Sequence, residues 1–185
     1  MTAVPELRND GIILNAHNDG EVAAHVAGED EETARRFGWW PASSTEETVR
    51  AAYATWARNW QEDGPMRAFA ARDPGSGALV GSCELRIGPD GTGRVSYWTH
   101  AGQRGRGYAR NALVLLVGYA ALIGVTRLEA HVAPDNHASR HVAEGAGFTQ
   151  ADIFTDDGTE FIRYTRDASG ERGRRLSRKK RVRRS

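Results

Sequence analysis

Arg94-Val-Ser-Tyr-Trp-Thr-His-Ala-Gly-Gln-Arg-Gly-Arg-Gly-Tyr-Ala109 changes character twice along its length. Arg94 to Thr99 alternates like a strand, Gly102 to Gly107 is a Gly/Arg loop, and Tyr108 opens the best helical stretch of the chain, running to about Gly124. Val125-Thr-Arg-Leu-Glu-Ala-His-Val132 then returns to strand composition. A helix between two strands of one sheet must cross over, which makes those strands parallel neighbours. This unit decides the class: an α/β domain built on a mixed sheet.

Upstream, Gly11 to Ala16 reads as a first strand, and Glu21 to Ala27 and Asp30 to Phe37 as two short helices. Ser44 stands three residues before Glu47, a capping-box spacing that starts a helix reaching Trp60. Val49, Ala52, Tyr53, Trp56 and Trp60 give that helix one apolar face. Met66 to Arg72, Ala78 to Ile87 and Arg94 to Thr99 are strands joined by the turns Asp73 to Gly77 and Gly88 to Gly93, an antiparallel meander. Downstream, a short helix from Ser139 to Glu144 precedes a hairpin, Thr149 to Phe154 with Glu160 to Thr165.

The loop between strand and helix carries the first chemical signal. Glycines let the backbone turn sharply and approach a ligand, and the unpaired N–H groups of a helix N-terminus attract an anion. Arg104 and Arg106 add positive charge of a shape suited to phosphate. The loop lacks the lysine of a Walker A motif, and Arg110 stands where a dinucleotide fingerprint needs its third glycine. By itself, an R-G-R-G loop is equally a surface turn with solvated arginines.

With its neighbours, the segment resembles the GNAT superfamily of acyl-CoA-dependent N-acyltransferases. Arg104-Gly-Arg-Gly-Tyr-Ala109 matches the family's [QR]-x-x-G-x-[GA] motif, and Val95-Ser-Tyr-Trp98 looks like the I-G-Y-W strand of its RimJ/RimL branch. Asn136, Ser139, Val142, Glu144, Gly147 and Phe148 are similar to that branch's N-x-x-S-x-x-V-x-E-x-x-G-F signature. The resemblance implies a mainly antiparallel central sheet flanked by helices, with a splayed parallel strand pair that receives acetyl-CoA as co-substrate. It implies the pyrophosphate on the N–H groups of Gly105, Arg106, Gly107, Tyr108 and Ala109, with Arg104 a further cofactor-binding residue through its charge in the loop. The pantetheine arm would lie along Trp98, Thr99 and His100, with Asn136 touching it or holding the loop, and a backbone N–H would polarise the thioester carbonyl. An amine would attack directly within a ternary complex.

Many GNAT members carry a tyrosine seven residues after the motif asparagine, whereas Ala143 stands there in this chain. In the RimJ/RimL branch the motif serine serves the departing thiolate, which points to Ser139, a residue type that equally suits a helix N-cap. Glu84, on the middle strand of the meander, is the first candidate for the base that takes the amine's proton, although pairing with Arg86 or Arg94 would explain it as well. Glu129 and His131 share one face of the last crossover strand. Trp39, Trp40 and the helix with Trp56 and Trp60 fall where the family builds its acceptor pocket, and of these Trp39 and Trp40 are the candidates for substrate contact. Cys83 reads as a small core residue.

Charge is unevenly distributed. The chain of 185 residues carries a net charge of +1, yet residues 170–185 hold nine basic side chains against Glu171, so residues 1–169 are net acidic. A uniformly basic nucleic-acid-binding domain is excluded, and an acidic body suits a cationic acceptor such as a protein N-terminus, a polyamine, an aminoglycoside or another small-molecule amine. Residues 1–168 are expected to form the domain and residues 169–185 a basic, disordered tail, with RNA or ribosome binding through the tail as a rival function and a non-catalytic acyl-CoA-binding module as another. A homodimer stays open. One cysteine and no Cys/His ligand spacing fit a cytoplasmic protein without a metal. The longest uncharged apolar run, Ala112 to Val125, is shorter than the roughly 20 residues of a membrane span.

Overall fold

In the computed structural model, residues 3–170 are described. Eight strands form one sheet: β1 (Leu7–Asn9), β2 (Ile12–Asn15), β3 (Met66–Arg72), β4 (Leu79–Ile87), β5 (Gly93–Thr99), β6 (Arg127–Val132), β7 (Thr149–Asp156) and β8 (Thr159–Asp167). Their spatial order is β1-β2-β3-β4-β5-β6-β8-β7, and every neighbouring pair is antiparallel except β5 and β6. The helices are α1 (Val22–Gly28), α2 (Glu31–Arg36), α3 (Glu46–Gln61), α4 (Tyr108–Ile123) and α5 (His137–Gly145).

The expected crossover is present. α4 leaves β5, packs on β4 and β5, and returns the chain to β6. Ala112, Leu113, Leu116, Val117, Ala120 and Ala121 recur at one- and three-residue steps and are all buried, forming the stripe that a sheet-covering helix needs. Gly124 ends the helix at φ +93°. α4 and α5 cover one face of the sheet, while α1 and α3 pack over β4 and β3 on the other.

β5 and β6 pair only at Gly93 with Leu128 and Arg94 with Glu129. Beyond Arg94 the two strands diverge, so a gap opens in the middle of the sheet. Strand alternation sorts β5 around it. Val95 and Tyr97 pack with the core on the α4 side, and Ser96 and Trp98 take the opposite face.

Several local expectations differ from the structure. The N-cap of α3 is Thr45, whose side chain accepts from Thr48 N–H while Thr48 Oγ1 accepts from Thr45 N–H. Both Ser44 and Thr45 are competent caps, and the reciprocal bonds with Thr48 are made by the second. α5 starts two residues early because Asn136, not Ser139, caps it. β1, three residues long and without an apolar pattern, has no signature in the sequence; pairing with β2 makes it a strand. Ala168 is buried and donates its N–H to Thr126 O (2.7 Å), so the packed body extends to it. The expected tail beyond residue 170 lies outside the described residues. Among those described, no helix is long and apolar enough to cross a membrane.

Candidate active site

The Gly/Arg loop reaches α4 through two residues in the left-handed region, Gly105 (φ +78°) and Gly107 (φ +80°). An L-residue disfavours that conformation, which is why glycine occupies both positions. Gly107 is the N-cap and supplies no side chain. The first backbone bond of α4 runs from Asn111 N–H to Gly107 O, so the N–H groups from Gly107 to Arg110 point out of the helix end. A Cβ at Gly105 would meet nothing within 4 Å, and one at Gly107 only Asn111 Nδ2 at 3.7 Å, which leaves open space above the loop. Open space, outward N–H groups and the dipole of a 16-residue helix fit a pyrophosphate.

The loop's side chains divide. Arg106 is exposed. Arg104 is engaged: its guanidinium binds Asp30 (2.7 and 2.8 Å), Glu32 (3.2 Å) and Thr33 Oγ1 (3.0 Å) at the start of α2. That contact holds the Asp30 carboxyl below the usual carboxylate range. Tyr108 donates its hydroxyl to Asp73 Oδ2 (2.6 Å), tying the start of α4 to the β3–β4 turn.

Along the gap, His100 N–H donates to Val80 O (2.8 Å). Antiparallel pairing alternates, so Trp98 and His100 spend their backbone groups on β4 and Thr99 turns its N–H and C=O toward the gap, as does Tyr97. The His100 ring accepts from Gly102 N–H (3.3 Å) and caps the turn that follows. The Trp98 indole lies on the α1 face, 4.6 Å from the His25 ring.

On the α4/α5 face, Asn136 Oδ1 accepts from Ser139 N–H (3.0 Å), and the Ser139 hydroxyl is therefore free of capping. It lies 2.8 Å from the Tyr97 hydroxyl, whose single hydrogen is shared between Ser139 Oγ and Ser139 O (3.1 Å). Burial pushes the Tyr97 phenol up to about 12, so it remains protonated at neutral pH. Sequence reasoning missed Tyr97. The available signal was its alternation with Val95 on the strand before the loop. Ala143 is fully buried in the core.

On the opposite face a cavity of about 650 Å³ opens between the α1–α3 layer and β4–β5. Glu84, Ser96 and Trp98 line its sheet side, and Trp39 and Trp56 its helical side. Glu84 pairs across the strands with Ser96 and lies 3.6 Å from the exposed Arg86. Trp40 is not in the lining; the Arg35 guanidinium covers its ring at 4.3 Å. Glu129 and His131 bond to each other (3.2 Å) on the sheet face beyond the gap. Cys83 is buried, and burial pushes its thiol up, away from a nucleophile's range. Among the described residues no cluster of His, Cys, Asp or Glu is arranged to hold a metal.

The geometry thus joins a helix end whose outward N–H groups suit an anion, a gap faced by the backbone groups of Tyr97 and Thr99, a carboxylate-bearing cavity on one face and a hydroxyl pair on the other. No curated protein matches the sequence. Among solved structures, an acetyltransferase from Agrobacterium tumefaciens superposes with TM-score 0.71 at 21% identity, covering 89% of this chain and 95% of its own. The RimL ribosomal L7/L12 alpha-N-protein acetyltransferase in complex with coenzyme A gives 0.69 at 16%, covering 88% and 98%. The microcin C7 self-immunity acetyltransferase MccE, in complex with acetyl-CoA and AMP, gives 0.69 at 18%, covering 86% and 93%. At these identities the likeness establishes the fold. The sequence model of the GNAT acetyltransferase domain matches residues 12–149, most of the chain. The chain therefore belongs to the GNAT acetyltransferase family and is an acetyl-CoA-dependent N-acetyltransferase.

Proposed function

We propose that this enzyme transfers an acetyl group from acetyl-CoA to a primary amine of a small molecule or a protein N-terminus, by direct attack in a ternary complex. The observation that carries this reading is the gap between β5 and β6, with a proton-accepting group on one face of the sheet and proton-donating groups on the other.

The N–H groups around Gly107, with Gly105, Arg106, Tyr108 and Ala109, hold the pyrophosphate. Arg104 braces the loop against α2 from beside that site. Thr99, between Trp98 and His100, offers the backbone groups for the pantetheine arm, and its N–H suits the thioester oxygen as negative charge develops there. Bound acetyl-CoA supplies the activated acyl group. Glu84 takes the proton that an incoming ammonium must lose before its nitrogen can attack. The departing sulfur needs a hydrogen on the other side of the gap, and Ser139 provides it, with Tyr97 hydrogen-bonded behind it. Asn136 acts on this step through the Ser139 backbone. Trp39 forms part of the acceptor wall, and Trp40 stands at its rim.

The test is thiol release from acetyl-CoA, followed with a thiol reagent across a panel of amines. Release that depends on both protein and amine, with an acetylated product seen by mass spectrometry, is the expected result. Failure to bind acetyl-CoA at millimolar concentration would overturn the reading. Binding without turnover on any amine would favour a non-catalytic acyl-CoA-binding module.

A further inference from the structure

Two carboxylates face the cavity from different walls. Glu84 rises from β4, whereas Glu29 follows the end of α1 and its side chain is only 7% exposed. Glu29 is held by a chain of polar groups. Its Oε1 lies 3.2 Å from His25 Nε2, and His25 Nδ1 lies 3.0 Å from the Tyr53 hydroxyl. Burial raises the Tyr53 phenol, which keeps its hydrogen and donates it to Nδ1, so the hydrogen on His25 Nε2 goes to Glu29. Each group in the chain is thereby oriented by the one behind it. The second oxygen of Glu29 finds no donor among the described residues.

No lysine or arginine lines this cavity, whose walls include Phe37, Trp39, Trp56 and Trp98. Arg86 approaches Glu84 only from the rim, with its side chain 56% exposed. A carboxylate so far out of water loses several kcal/mol of solvation unless it is paired, and one hydrogen bond from His25 offsets part of that loss. A ligand cation at the open oxygen completes the pairing, and aromatic faces favour an organic ammonium. One carboxylate suffices for the reacting amine, which leaves the other without a task in the transfer itself.

We propose that Glu29, held by His25 and Tyr53, binds a second cationic group of the acceptor, so that the preferred acceptor is a small diamine or polyamine. This inference rests on the acetyltransferase reading of the same cavity. One ammonium loses its proton to Glu84 and attacks the thioester, while the other stays charged against Glu29.

The experiment compares 1,4-diaminobutane with butylamine as acceptors. Wild-type kcat/KM is expected to favour the diamine by about tenfold or more, the equivalent of one well-placed ionic contact. Glu29→Gln keeps an acceptor for His25 and removes the charge; it should lower kcat/KM for the diamine at least about tenfold more than for butylamine, chiefly through KM. Glu84→Gln should slow both amines alike, chiefly through kcat. Retained acetyl-CoA affinity and tryptophan fluorescence report that each variant is folded. If Glu29→Gln does not fold, Glu29→Asp takes its place, with a partial loss of diamine preference expected. A wild-type enzyme without diamine preference, or a Glu29 variant that keeps it, overturns the inference and leaves the acetyltransferase reading standing. An enzyme that acetylates no amine overturns both.

Discussion

Tyr97 and Ser139 lie far apart in sequence, yet their hydroxyl oxygens are 2.8 Å apart across the α5 side of the gap. Tyr97 comes from the strand whose edge is left open, and Ser139 from the first turn of the helix that follows the other strand of the gap. Because Asn136 caps α5, Ser139 is free to meet the phenol. If Ser139 protonates the departing thiolate with Tyr97 behind it, Ser139→Ala should lower kcat by about 10²-fold, the scale of a positioned acid, with little change in acetyl-CoA affinity. Tyr97→Phe should cost less, since water can replace a group that acts through the serine. Steady-state kinetics beside direct acetyl-CoA titration measure both, and unchanged turnover in Ser139→Ala would reduce that hydroxyl to a packing role.

Gly107 offers a separate test of the anion site. At φ +80° any L-residue is strained by about 1–2 kcal/mol. A glutamate there also brings bulk and negative charge to the outward N–H groups. Gly107→Glu is expected to abolish acetyl-CoA binding in calorimetry while circular dichroism still reports the native fold. Gly107→Ala carries the strain without the charge and should weaken binding to a smaller extent.

How much of this was legible in sequence follows the range of the interactions. The strand–loop–helix–strand unit from Arg94 to Val132 shows itself locally, because its period changes twice and its glycines mark the loop. The antiparallel meander is equally local. The cap of α3 differs from the sequence expectation because Ser44 and Thr45 both qualify, and the structure forms the reciprocal box between Thr45 and Thr48. Tyr97 as partner of Ser139 depends on α4 returning the chain beside β5, which no window of residues displays. The same holds for Arg104, whose carboxylate partners come from α2, and for the Glu29–His25–Tyr53 chain, which exists because α1 packs on α3. Loop motifs point to the proposed cofactor side of the site, whereas tertiary contact alone assembles the proposed acceptor side.

His17 makes stability depend on pH. Its Nε2 donates to Ser82 Oγ (3.1 Å), whose own hydrogen goes to Phe69 O (3.0 Å). Burial pushes the imidazole down to about 3. The unfolded chain therefore binds a proton at His17 that the folded chain refuses, between the ordinary histidine value of about 6.5 and that lower one. This contribution is fully present above pH 6.5 and is lost as pH falls toward 3. Urea titrations at a series of pH values should show stability declining through this window, and His17→Gln, which keeps a donor for Ser82, should flatten the decline. An unchanged slope in the variant would mean that other groups carry it.

Asp30 works in the same direction lower on the scale. Its carboxylate accepts from Arg104 and from Thr33 at the start of α2, and the Arg104 contact is the main reason that its proton is lost so readily. A carboxylate depressed in the folded state adds stability above its unfolded value of about 3.9 and surrenders it as pH falls below that value. The pair is partly exposed, with side chains 38% and 35% accessible. Solvent screening therefore limits its worth to about 1 kcal/mol or less. Asp30→Asn is expected to lower thermal stability slightly at pH 7, to approach wild type progressively as pH falls below about 3.9, and to narrow the difference in high salt. It also frees Arg104 from its main anchor beside the anion site. Because the pair braces the loop, acetyl-CoA affinity is expected to fall in this variant in calorimetric titration; a rise would mean that Asp30 instead withholds Arg104 from the phosphates.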